Sequence, residues 1–173
     1  MFFGWQTFYQ LTGSAAGALI GLLFIVATLT SRQSQTSLGG DGVVGMGVQL
    51  FTTPTVFHLG VVLIVSALAL APGAEIYSAS LVMLVCALFA LGYMAVIAVR
   101  LSRLDNPTHW SDFWCYGAAP VGVYLALAAA AGAAWLRAPH AAYAVGLTLR
   151  VLLMVAIRNA WDLVTWLSAR RTD

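Results

Sequence analysis

Five long apolar stretches, separated by short polar connections, constrain what this chain can fold into. Each is about 20 residues or longer, which at about 1.5 Å per helical residue is enough to cross a hydrocarbon core of about 30 Å. Only 8% of the 173 residues are charged and 61% are apolar, whereas a soluble domain has about a quarter of its residues charged. We therefore expect an all-α, five-span transmembrane helix bundle that forms one membrane domain over residues 1–173.

The predicted spans are residues 8–29, 43–71, 76–99, 115–136 and 141–167, and the small, polar residues 30–42 are predicted to form a loop. With five spans, one side of the membrane carries five arginines and the other carries only Arg137. Because basic residues accumulate in cytoplasmic connections, this count predicts an outside amino terminus and a cytoplasmic carboxyl terminus. In a four-span alternative, residues 43–57 would be re-entrant or lie on the membrane surface. Another of the predicted spans would then also have to fail to cross the membrane. The five arginines are Arg32, Arg100, Arg103, Arg170 and Arg171.

The last apolar stretch carries charge in an otherwise uncharged interior. Arg150, Arg158 and Asp162 all fall within it, together with Asn159. An arginine at bilayer depth costs about 2.5 to 3.5 kcal/mol on insertion scales, so we expect this helix to turn its polar face towards protein. Arg158 and Asp162 are four residues apart and can pair along one helix, whereas Arg150 has no such partner in sequence.

The second stretch supplies polar residues that match the last one in depth. If these two helices run in opposite directions, Gln49, Thr52 and Thr53 share the cytoplasmic half of the membrane with the Arg158 region, and His58 lies closer to mid-membrane. The sequence therefore predicts a polar intramembrane cluster between the second and fifth helices. Two interpretations remain open: a clasp that ties the two helices together, or a route for an anion or for protons. The predicted cluster is Arg150, Arg158, Asn159, Asp162, Gln49, Thr52, Thr53 and His58.

Three glycines repeat every four residues in the first stretch, at Gly13, Gly17 and Gly21. Small residues at this spacing clear a strip on which another helix backbone can approach closely. The strip is predicted to pack either within the chain or against a second copy, which makes a homo-oligomer the expected state.

Several function classes are disfavoured by what the sequence lacks. All eight basic residues are arginine and they are scattered, so neither a lysine Schiff base nor a nucleic-acid surface is expected. Cys86 and Cys115 form no C-x-x-C motif, and the three histidines fall in different segments at different depths. Neither H-E-x-x-H nor a serine elbow appears. We therefore expect no enzyme activity, no metal site and no cofactor.

Loose motifs span most of the chain: FYQLTGSAAGALIGLLF at 8–24, WSDFWCYG at 110–117, Pro120, and IRNAWDLVTW at 157–166. These resemble the corresponding parts of small multi-pass bacterial integral membrane proteins of unassigned function. The resemblance implies a bacterial plasma membrane as the location and implies no activity.

The function predicted from the sequence is a small homo-oligomeric, channel-like or transport-related protein surrounded by membrane lipids. Its polar route is predicted to run between the second and fifth helices, with Arg150 and Arg158 as charge selectors. The alternative is a non-enzymatic structural or regulatory subunit that binds a partner membrane protein, in which the polar cluster serves only stability.

Overall fold

The computed structural model describes the backbone of residues 2, 4–36, 42–73, 75–102 and 117–169, and the side chains at 2, 4–28, 53–73, 75–97, 99, 117–162, 164 and 165. This part of the chain is all-helical, with five helices. They are α1 (Gln6–Thr36), α2 (Gly42–Leu70), α3 (Ile76–Ser102), α4 (Ala119–Trp135) and α5 (Ala141–Ala169).

Four of these helices are long and apolar enough to cross a membrane. The qualifying segments are Gln6–Thr28, Thr53–Leu70, Ile76–Ile97 and Ala141–Asp162, while α4 is apolar but has only 17 residues. Their length and hydropathy are compatible with a membrane protein, as the composition predicts.

Helix boundaries follow the residues that break helices. α2 ends two residues before Pro72, because the residue that precedes a proline is disfavoured in the helical conformation. Of the predicted loop over residues 30–42, residues 37–41 lie outside the described residues, and residue 42 begins α2. The prediction is wrong for residues 30–36, which continue α1. Those seven residues are polar but contain neither glycine nor proline, so nothing in them stops a helix that has already formed. The predicted start of the fourth span at residue 115 lies outside the described residues.

α2 and α5 each contact three other helices of the described bundle. α5 contacts α1, α2 and α4; α1 packs most extensively on α2, α3 packs mainly on α4, and α2 touches α3 only slightly. The core between them consists of aliphatic side chains and many alanines, which let the helices approach closely.

Long-range contacts show which helix ends meet. The Tyr9 hydroxyl donates a hydrogen bond of 3.0 Å to the Ala142 carbonyl oxygen, which places the starts of α1 and α5 together. The rings of Tyr77 and Trp135 lie 5.1 Å apart, which joins the start of α3 to the end of α4. These contacts define one end of the bundle, which we call the Pro72 end after the turn between α2 and α3. α2 therefore runs towards this end and α5 away from it, and the two helices are antiparallel as predicted.

Candidate functional site

The charged face of α5 lies on the outside of the described structure. Arg150 and Arg158 are exposed, whereas Leu149, Leu152 and Asn159 are buried on the opposite face. The prediction that α5 turns both guanidiniums inward is therefore wrong for the single chain. The physical reason is packing: α5 contacts three helices, and its inner face meets them through alanine, valine and leucine side chains that have little or no exposed surface.

Arg158 and Asp162 form the ion pair that their spacing predicts. The Arg158 Nη1 atom lies 3.6 Å from the Asp162 Oδ2 atom, and the two side chains are 44% and 37% exposed. The two residues are four positions apart on one helix. Their opposite charges therefore compensate each other on α5 itself, and no other helix has to supply a partner.

Arg150 has a partner that the sequence did not reveal. Its guanidinium carbon lies 4.6 Å from the centre of the Phe8 ring on α1, which is within the range of a cation–π contact. Helical side chains lean towards the helix amino terminus, so this guanidinium is directed towards the Pro72 end.

Gly146 creates the space that Phe8 occupies beside Arg150. A Cβ atom at position 146 would lie 3.1 Å from Phe8 Cε1 and 3.2 Å from Trp5 Cζ3, both closer than most real Cβ contacts. The rings of Trp5 and Phe8 in turn meet edge to face at 5.7 Å. The one signal for this arrangement in the sequence is a glycine one helical turn before the arginine.

The α2 residues of the predicted cluster differ in their surroundings. Thr53 is exposed, and the side chains of Gln49 and Thr52 lie outside the described residues. Asn159 is 1% exposed on the inner face of α5, away from Arg150. The predicted cluster is thus divided in the described part of the chain between an outer charged face on α5 and buried polar groups inside the bundle.

His58 belongs to a buried contact between α2 and α4. Its Nδ1 atom lies 2.7 Å from the Tyr124 hydroxyl oxygen, and both residues have no exposed surface. Either the hydroxyl donates to Nδ1 or a protonated Nδ1 donates to the hydroxyl oxygen. The Nε2 atom is buried and has no hydrogen-bond partner among the described residues.

Aromatic rings extend this contact to α3. The ring of Phe57 lies 4.9 Å from that of Tyr93 and 6.5 Å from that of Tyr124. His58 is therefore held in an aromatic setting that connects three helices, and its hydrogen bond to Tyr124 links α2 to α4. Tyr124 is the partner that sequence reasoning missed, because 66 residues separate it from His58.

No family model, curated protein or solved structure matches this chain. Within the described ranges, no three His, Cys, Asp or Glu side chains come together as metal ligands.

The predicted glycine strip has two different environments. Gly13 is buried, and a Cβ atom there would lie 3.0 Å from Ser66 Cβ on α2, so this position packs within the chain. At Gly17 and Gly21 an added Cβ would meet no described atom within 4 Å. Packing against a second copy stays a prediction for these two positions.

An open cavity of about 290 Å³ lies at the Pro72 end. It is located between the start of α1 and the end of α2, and its lining includes Phe2, Gln6, Leu68 and Ile76. None of the charged residues of α5 lines it, so this cavity is separate from the charged face.

Proposed function

We propose that this chain is a small homo-oligomeric, channel-like or transport-related protein of a bacterial plasma membrane, and that it is not an enzyme. In this proposal it crosses the membrane five times, with its amino terminus outside and its carboxyl terminus in the cytoplasm. The observation that carries the proposal is the exposed charged face of α5, with Arg150, Arg158 and Asp162 inside the segment Ala141–Asp162.

A charged face of this kind is costly against lipid. Ionisable side chains within membrane segments almost always face protein or water. If copies of the chain assemble with their α5 helices around a common axis, the guanidiniums leave the hydrocarbon and line the space between subunits. This places the polar route between protomers and not between α2 and α5 of one protomer, because the buried faces of those helices carry fully enclosed Leu59, Val62 and Leu149.

The charges on this face favour anions. Arg150 and Arg158 are eight residues apart, which corresponds to about 12 Å along the helix axis. Rings of positive side chains select for anions in membrane pores. Asp162 compensates Arg158 at 3.6 Å, whereas Arg150 contacts an uncharged ring. We therefore assign the main selecting charge to Arg150.

The proposal is tested by anion flux and by cross-linking. In proteoliposomes with a chloride gradient, the wild type should conduct, and Arg150→Gln should reduce the preference for chloride over potassium more than Arg158→Gln does. Leu88→Val, at an exposed position of α3, is the control that should leave the flux unchanged. Absence of flux of chloride or protons under every gradient would refute the transport proposal.

Cross-linking tests the oligomer separately. Met154 is exposed on the charged face of α5 and Leu88 is exposed on α3. In a background with Cys86 and Cys115 replaced by serine, Met154→Cys should form a disulfide between copies and Leu88→Cys should not. Equal cross-linking at both positions would refute assembly through α5.

A second function is favoured by one observation. Arg158 is paired with Asp162 and Arg150 with Phe8 inside one protomer, so the charged face has local partners without a water-filled route. In this case the chain is a structural or regulatory subunit that docks a partner membrane protein through α5. This second function predicts no flux and no disulfide between copies of Met154→Cys. It also predicts a lower melting temperature for Asp162→Asn than for the wild type. An unchanged melting temperature of that variant would count against the ion pair as a stabilising element.

A further inference from the structure

Tyr77, Trp135 and Arg137 form an exposed group at the Pro72 end, which we call the Arg137 group. The Arg137 guanidinium carbon lies 5.2 Å from the centre of the Tyr77 ring. The Tyr77 ring meets the Trp135 ring at 5.1 Å with an interplanar angle of 66°. A cation, a phenol and an indole from α3 and the end of α4 therefore share one surface.

The position of this group along the helices matches a membrane boundary. Tyr77 is the second residue of the segment Ile76–Ile97, and Arg137 comes four residues before the segment Ala141–Asp162. Tryptophan and tyrosine are enriched at the level of the lipid headgroups, where phosphate is the common anion. The group is thus located where one side faces hydrocarbon and the other faces phosphate.

The backbone at Arg137 is unusual for an arginine. Its φ of 56° is the only positive value at a non-glycine residue within the described ranges. The Arg137 amide donates to the Ala134 carbonyl and the Ala138 amide donates to the Ala133 carbonyl, which together form a Schellman motif that ends α4. Glycine is the residue that this position favours. An arginine held in a strained conformation points to a role for its side chain outside the turn.

The positive charge of Arg137 is not neutralised within the described structure. The one ion pair between described side chains joins Arg158 to Asp162, so no described carboxylate lies within 4 Å of Arg137. Tyr77 supports one side of the guanidinium, and the exposed side keeps its donors available. A planar guanidinium with two free parallel donors matches two oxygens of a phosphate.

We propose that the Arg137 group binds the phosphate of a membrane phospholipid. Arg137 donates hydrogen bonds to the phosphate oxygens, the Tyr77 ring orients the guanidinium, and the Trp135 ring packs beside the glycerol and upper acyl region of the same lipid. This site is independent of the proposed function and of α5, and it does not depend on which leaflet the Pro72 end faces.

The test uses native mass spectrometry of the full chain in detergent, titrated with dioleoylphosphatidylglycerol. The key variant is Arg137→Gly, which suits the backbone at this position better than arginine does. It should keep or raise the melting temperature while lowering lipid affinity by about tenfold or more, the loss expected when charge-assisted hydrogen bonds are removed. Equal lipid affinity in Arg137→Gly and the wild type would overturn the proposal.

Further variants separate the contributions of the arginine and of the Tyr77 ring to lipid binding. Arg137→Lys keeps the charge but loses the paired donors, so its affinity should lie between those of the wild type and Arg137→Gly. Tyr77→Leu should weaken binding, whereas the matched control Tyr143→Leu, at an exposed tyrosine near the same end, should not. An equal loss in both tyrosine variants would show a nonspecific surface effect and would refute the site. Displacement of the lipid by an equal concentration of inorganic phosphate would show a free-phosphate site and would also refute it.

Discussion

Replacement of Gly13 by alanine tests how closely α1 and α2 pack. The added Cβ would lie 3.0 Å from Ser66 Cβ, a distance tighter than nine in ten real Cβ contacts, so Ser66 must give way by a few tenths of an ångström. Overpacking of this kind costs about 1 to 3 kcal/mol. Alanine also favours the helix by about 1 kcal/mol over glycine. The net expectation for Gly13→Ala is a loss of about 0 to 2 kcal/mol of unfolding free energy.

Gly17→Ala is the matched control. It lies one turn further along α1, gains the same helix propensity, and adds a Cβ that meets no described atom within 4 Å. The difference in unfolding free energy between the two variants therefore measures the steric cost of the methyl group at position 13, which should be about 1 to 3 kcal/mol. Reversible unfolding in mixed micelles, followed by far-UV circular dichroism, measures both values.

A rescue variant makes the Gly13 prediction specific. Ser66→Gly removes the atom that the new methyl group would meet, so Gly13→Ala should be less destabilising in that background than in the wild type. The reasoning would be refuted if Gly13→Ala and Gly17→Ala changed the unfolding free energy equally, or if Ser66→Gly gave no rescue.

Two other contacts carry predictions of their own. Tyr124→Phe removes the hydroxyl that bonds His58 Nδ1 and should lower the unfolding free energy by about 0.6 kcal/mol, the average for hydrogen bonds between membrane helices, and by at most about 1.7 kcal/mol. The loss should shrink in a His58→Leu background, and strict additivity of the two substitutions would contradict the contact. Gly146→Ala should displace the Phe8 ring from Arg150 and, after the gain in helix propensity is subtracted from the cost of overpacking, destabilise the protein by about 0 to 2 kcal/mol. Arg150→Gln should then cost less than it does in the wild type, and a cost of the same size would show that the Phe8 contact contributes nothing.

The Arg158–Asp162 ion pair could be read from the sequence because it depends on helical spacing alone. Two residues four positions apart on one helix are neighbours whatever surrounds that helix. The same holds for the face that Arg150 shares with Arg158, since the periodicity of 3.6 residues fixes which side chains lie together. The extension of α1 through residues 30–36 does not follow from their polar composition; it follows from the absence of helix-breaking residues there.

Contacts across large sequence separations could not be read in this way. Phe8 and Arg150 are brought together by the packing of α1 on α5, and His58 and Tyr124 by the position of α2 relative to α4. Gly13, Gly17 and Gly21 show the same limit of pattern reasoning. They have one spacing, yet only Gly13 comes against Ser66, because the distance between α1 and α2 decides which glycine is needed.

The sequence by itself determined the all-helical architecture, the long apolar segments and the charges that the last helix carries. Length and hydropathy are properties of contiguous residues, so they do not depend on how the helices pack against one another. The tertiary structure decided which face of α5 is buried. Which side chains fit between α5 and its neighbours α1, α2 and α4 depends on all four helices together, and their close packing placed Leu149, Leu152 and Asn159 inside and left Arg150 and Arg158 on the surface.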